Sequence, residues 1–104
     1  MNSTEMNKVR ELIVTAAEAN GYNVTGKPDD GEFQLELGRK HVVDFMLKSN
    51  SSGYLQVHLV EEKKKDEWAF GRAVYSIRSV AEAFLFCNVL SVSALIAARR
   101  LGES

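Results

Sequence analysis

From Ala83 to Ala98 the chain reads AFLFCNVLSVSALIAA, a run without a single charged residue. No proline or glycine occurs between Gly71 and Gly102, so nothing local stops this segment from being helical. A helix that is apolar on most of its circumference must be buried on most of it. Up to about Leu85 the pattern is one-sided: Phe70, Ala73, Val74, Ile77, Ala81, Phe84 and Leu85 make a stripe suited to covering a sheet. Beyond it, Phe86, Val89, Leu90, Val92, Leu95 and Ile96 spread around the helix, relieved only by Asn88, Ser91 and Ser93.

Length sharpens the constraint. With Asp66 as N-cap and Glu67 in the first turn, an unbroken helix to Arg100 would run roughly 50 Å at about 1.5 Å per residue. A compact domain of this size is only about 30–35 Å across. Either the helix breaks into two near Cys87-Asn88 and folds home as a hairpin, or its end is shared with a partner. A membrane span is the third option, but the uncharged run is shorter than the usual ~18–20 residues and holds three polar groups. The expectation is a homodimer whose interface includes Phe86, Val89, Leu90, Val92 and Ile96.

Ahead of this region the pattern changes twice. Met6, Val9, Ile13, Ala16, Ala17 and Asn20 follow a helical period, which predicts a first helix over roughly 3–20. Asn2 or Ser3 is placed to cap it and Asn20-Gly21 to end it. Tyr22-Asn23-Val24 is a candidate short strand, closed by the turn chemistry of Lys27-Pro28-Asp29-Asp30-Gly31. Three stronger strands are predicted near 32–37, 41–48 and 54–60, where Phe33/Leu35/Leu37, Val43/Phe45/Leu47 and Leu55/Val57/Leu59 alternate with polar residues. If Gly38-Arg39-Lys40 joins Leu37 to His41, and Ser49–Gly53 joins Lys48 to Tyr54, then Phe33, Phe45 and Val57 share an inward row. Leu35, Val43 and Leu59 share the next. The predicted fold is α+β: an N-terminal helix, an antiparallel meander of three or four strands, and one long or two shorter C-terminal helices packed on the sheet. At 104 residues the chain fits one domain, residues 1–104, with no linker or repeat.

Candidate chemistry is sparse. The expected register places Asp44 opposite His58 on the outer face, an acid/base pair in principle, but no nucleophile is placed beside it. Cross-strand pairing explains it as well. Two histidines and one cysteine lack the spacing of a zinc set, Asp29-Asp30-Gly31-Glu32 lacks the alternating carboxylates of a calcium loop, and no glycine-rich phosphate motif occurs. No cofactor is expected. Cys87 rules out an internal disulfide by being the one cysteine, and it reads as a small core residue.

Two surface features remain. Lys63, Lys64 and Lys65 precede the predicted second helix, and the order helix, three strands, lysines, helix resembles the double-stranded RNA-binding domain, whose second helix carries lysines to phosphate. That family's glycine-rich approach and following alanine-rich pattern are absent here, and Glu61, Glu62, Asp66 and Glu67 flank the lysines and cancel their charge. Trp68, Arg72 and Tyr75, continued by Ser79 and Glu82, would line one flank of the same helix, and such residues are favoured at protein interfaces. A net charge of -1 gives no overall field toward nucleic acid or acidic lipid. The N-terminus lacks a basic region followed by an apolar stretch, so the cytoplasm is the expected location. By elimination the chain reads as a non-enzymatic protein-binding or regulatory module. Nucleic-acid binding through the lysines and an enzyme using Asp44 and His58 are the alternatives.

Overall fold

The computed structural model describes residues 1–37, 44–64 and 67–102. Helix α1 (Ser3–Ala19) leads into strands β1 (Asn23–Lys27), β2 (Glu32–Glu36), β3 (Phe45–Ser49), β4 (Leu55–Lys64) and β5 (Glu67–Ile77), and helix α2 (Val80–Gly102) closes the chain. The strands form one antiparallel sheet in the order β1-β2-β3-β4-β5, so each pairs with its neighbour in sequence. Both helices pack on the same face. The architecture is α+β, as the periodicities predict, with five strands rather than three or four.

Helix α1 forms where its caps and stripe require. Asn2 accepts the Glu5 N–H at 2.8 Å through its side chain, satisfying one of the donors a helix start leaves open. At the other end the Gly21 N–H reaches the Glu18 carbonyl and the Tyr22 N–H reaches that of Ala17. This is the paired closure that a left-handed residue makes possible, with Gly21 at φ 86°. Val9, Ile13 and Ala17 are buried from this helix.

Strands β2, β3 and β4 put their odd-numbered residues inward, whereas β1 puts its even-numbered Val24 there, opposite Leu35. Phe33, Leu47, Val57 and Tyr75 form one row, and Leu35, Phe45 and Leu59 the next. The inward face is the expected one, but β3 lies two residues from the expected register against both neighbours. Phe33 faces Leu47 rather than Phe45, and Phe45 faces Leu59 rather than Val57. The reason lies at the ends of β3. Asn50 closes the turn into β4: its side-chain oxygen accepts from the N–H groups of Ser52 and Tyr54, and its own N–H donates to the Tyr54 carbonyl. That turn is tighter than the one expected. At the other end the Asp44 carboxylate takes the Leu37 N–H at 2.9 Å. A slide of two preserves every side chain's face. Gly38-Arg39-Lys40, His41 and Val43 lie outside the described residues.

The larger correction concerns residues 67–77. Instead of beginning a long helix they form β5, pairing with β4 from Lys64↔Glu67 to Leu55↔Ile77. The helical spacing of Phe70, Ala73, Val74 and Ile77 is overridden by tertiary context: Trp, Phe, Val, Tyr and Ile suit a strand, and β5 covers the edge that β4 would otherwise expose. Asp66, the expected N-cap, lies outside the described residues. The helix starts instead at Val80, where Ser79 accepts the Glu82 N–H through its hydroxyl and Glu82 accepts the Arg78 N–H through its carboxylate. This Ser-x-x-Glu cap, in which the glutamate reaches one residue further back than in a reciprocal capping box, is a legible start signal. With its start moved to Val80, α2 is about 34 Å long, within the 45 Å long axis of the molecule, and it runs unbroken through Cys87-Asn88.

Candidate protein-binding surface

Helix α2 presents two stripes of different fate. Ala83, Phe86, Leu90 and Ala97 are buried, at spacings that hold one face toward the sheet. Phe86 sits at its centre, edge-on to Phe45 with ring centroids 5.4 Å apart and tilted over Tyr75 at 5.9 Å. One flank of α2 lies along α1. There the Cys87 thiol points at the Leu12 carbonyl, 3.9 Å away, and the Asn20 side-chain amide donates to the Ser91 hydroxyl. The Tyr22 hydroxyl donates to the Leu90 carbonyl at 3.2 Å. Burial pushes the Cys87 thiol above its ordinary pKa, which disfavours a reactive thiolate. Burial also raises Tyr22, against a hydrogen bond from Ser93 that lowers it.

The rest of α2 is apolar and open. Phe84 and Leu85 are each 57% exposed, Val92 55%, Leu95 53%, Ile96 49% and Val89 39%. Of the residues expected at a dimer interface, Phe86 and Leu90 therefore belong to the chain's own core, while Val89, Val92 and Ile96 are available. Phe84, Leu85 and Leu95 join them. Phe84 and Leu85, expected in the inward stripe, face outward instead, because that stripe assumes a helix starting at Glu67 and α2 starts at Val80. Leu85, Val89, Val92 and Ile96 follow one another at steps of four, three and four, the spacing of a two-helix seam. The segment Val80–Ala98 is also long and apolar enough to cross a membrane, and only 22% of it is buried. Its inner stripe, however, completes the core of the sheet.

The other candidates are dispersed. Asp44 is not opposite His58: across from His58 stand Met46 in β3 and Ala73 in β5. Asp44 instead caps the end of β2, and burial raises its pKa against the lowering effect of the Leu37 N–H. His58 has a structural task. The ladder between β4 and β5 is irregular between His58 and Val60, and Nδ1 of His58 lies 3.1 Å from the Gly71 carbonyl there, so a proton on Nδ1 gives that oxygen a donor.

Trp68, Arg72 and Tyr75 lie on β5 and form no helical flank. Tyr75 is on the inner face against Phe86, whereas Arg72 is exposed. Lys63 and Lys64 end β4 in a hairpin with β5, not in an approach to a helix, and Lys65 lies outside the described residues. The element order of the double-stranded RNA-binding domain is therefore not the order of this chain. Among the described residues no three His, Cys, Asp or Glu side chains converge as a metal set. No protein-family model, curated protein or solved structure matches the chain.

Proposed function

We propose that this chain is a non-enzymatic protein-binding module that acts as a homodimer through the outward face of α2. The observation that carries this reading is the exposed seam Leu85, Val89, Val92 and Ile96 on a helix whose opposite stripe is already buried. Six large apolar side chains of one helix, each more than a third exposed, form a surface of the kind that marks interaction sites. A two-fold axis, the commonest symmetry of protein dimers, would set this same face of both copies together.

Sedimentation velocity tests it. The wild type is expected to sediment as a dimer at micromolar concentration, and Val92→Asp and Ile96→Asp as monomers with unchanged far-ultraviolet circular dichroism. A wild-type monomer at high micromolar concentration, or flotation with neutral lipid vesicles in place of dimer formation, overturns the proposal. Leu90→Asp is not a test of association, because Leu90 is fully buried and its replacement strikes the core.

A further inference from the structure

The seam has charged ends. Continuing its heptad from Leu85, Val89, Val92 and Ile96 by one step in each direction reaches Glu82 before it and Arg99 after it, both within α2. Between them no position of the helix carries a charge. We infer that two copies of the chain pair their α2 helices antiparallel, with layers Glu82–Arg99, Leu85–Ile96 and Val89–Val92 across the interface, each repeated by the two-fold axis. The inference rests on the proposed self-association and adds its geometry.

Charge decides the direction. A parallel pairing sets each seam residue against itself, which makes a Glu82–Glu82 layer at one end and an Arg99–Arg99 layer at the other. It also brings like helix ends together. The antiparallel pairing converts both like-charge layers into opposite-charge layers and opposes the two helix dipoles favourably. The apolar layers do not separate the two directions, since Leu, Val and Ile match in either. Arg100 sits next to Arg99 at the helix end, so a parallel pair would gather four arginines there, and an antiparallel pair divides them between its two ends. The Glu82 carboxylate already accepts the Arg78 N–H, which fixes its position at the start of the helix, ready to meet a partner.

Disulfide trapping tests the direction. In a Cys87→Ala background, Leu85→Cys and Ile96→Cys are prepared separately, oxidised mildly alone and as a mixture, and read on non-reducing gels. Antiparallel pairing places position 85 of one copy about 16 Å along the axis from position 85 of the other, beyond the roughly 7 Å that a disulfide spans between Cα atoms. Only the mixture is then expected to cross-link. Cross-linking of either variant alone overturns the antiparallel inference while leaving self-association standing. A dimer by sedimentation in which no combination cross-links overturns it as well, since the contact then uses another face. A monomer in sedimentation removes the underlying reading.

Should a cysteine variant misfold, Arg99→Glu gives a second readout. The antiparallel dimer is expected to weaken by about tenfold at low ionic strength, with recovery on adding salt. A parallel dimer exchanges one like-charge layer for another and is not weakened, which overturns the inference.

Discussion

The Phe86 ring of α2 stands edge-on to Phe45 of β3, with planes at 84° and centroids 5.4 Å apart. This contact fastens the second turn of α2 to the middle strand of the sheet. Phe86 is 1% exposed, whereas Phe84, two residues earlier on the same helix, is 57% exposed. Phe86→Ala is expected to cost about 3–5 kcal/mol, the range for truncating a buried aromatic. Phe84→Ala is expected to stay within about 0.5 kcal/mol, as surface substitutions do. Urea denaturation of the two variants under identical conditions measures both. Equal losses would mean that the two faces of α2 are wrongly assigned.

The turn from β1 to β2 ends at Gly31, where φ is 83° and a Cβ would stand 2.5 Å from the Ser49 hydroxyl oxygen. Gly31→Ala therefore combines a left-handed backbone with a clash and is expected to destabilise by more than about 1 kcal/mol. Gly21→Ala shares the backbone conformation but meets nothing within 4 Å among the described residues, so its loss should be the smaller. Among the described residues the buried Ser49 hydroxyl has no hydrogen-bond partner. Ser49→Ala removes an unpaired polar group and is expected to be neutral or stabilising by up to about 1 kcal/mol. Thermal unfolding of the three variants orders them.

Asp44 supplies a pH dependence. Burial raises its folded pKa, and the unfolded chain ionises it near the ordinary aspartate value of 3.8. The folded state therefore holds this proton more tightly than the unfolded state, and stability falls as pH rises through the interval from the unfolded to the raised folded pKa. Asn at this position keeps an oxygen for the Leu37 N–H and cannot ionise. The stability of Asp44→Asn relative to wild type is expected to be lowest in acid, to rise through that interval and to level off above it. Denaturant titrations from pH 3 to pH 7 would refute this if the difference ran the other way.

Much of the fold was legible. The α1 stripe, its Asn2 cap and its Asn20-Gly21 stop are local chemistry, and the structure follows them. The inward faces of β2, β3 and β4 follow from alternation alone. The register of β3 does not, because Asn50 and Asp44 set it through side-chain bonds to backbone, and alternation is unchanged by a slide of two. Strand β5 was illegible for a different reason: Phe70, Ala73, Val74 and Ile77 satisfy a helical period, and only the need to cover β4 selects the strand. The Ser79–Glu82 cap marks where the helix begins and was the available signal. At the candidate surface, Val89, Val92 and Ile96 could be read as outward-facing, but Phe86 and Leu90 could not be separated from them until the start of α2 was known.

The order of the elements also shapes how the chain comes to be folded. Each strand pairs with its neighbour in sequence, so the meander grows hairpin by hairpin with short loop closures. Helices α1 and α2, from opposite ends, pack against each other over it. A ribosome releases the chain from the N-terminal end, so every strand emerges before α2. During that interval the inner row of Phe33, Leu47 and Val57 has only α1 to shelter it. Solubility of the nascent protein thus turns on how soon α2 docks, because until then the apolar side of the sheet is open to aggregation.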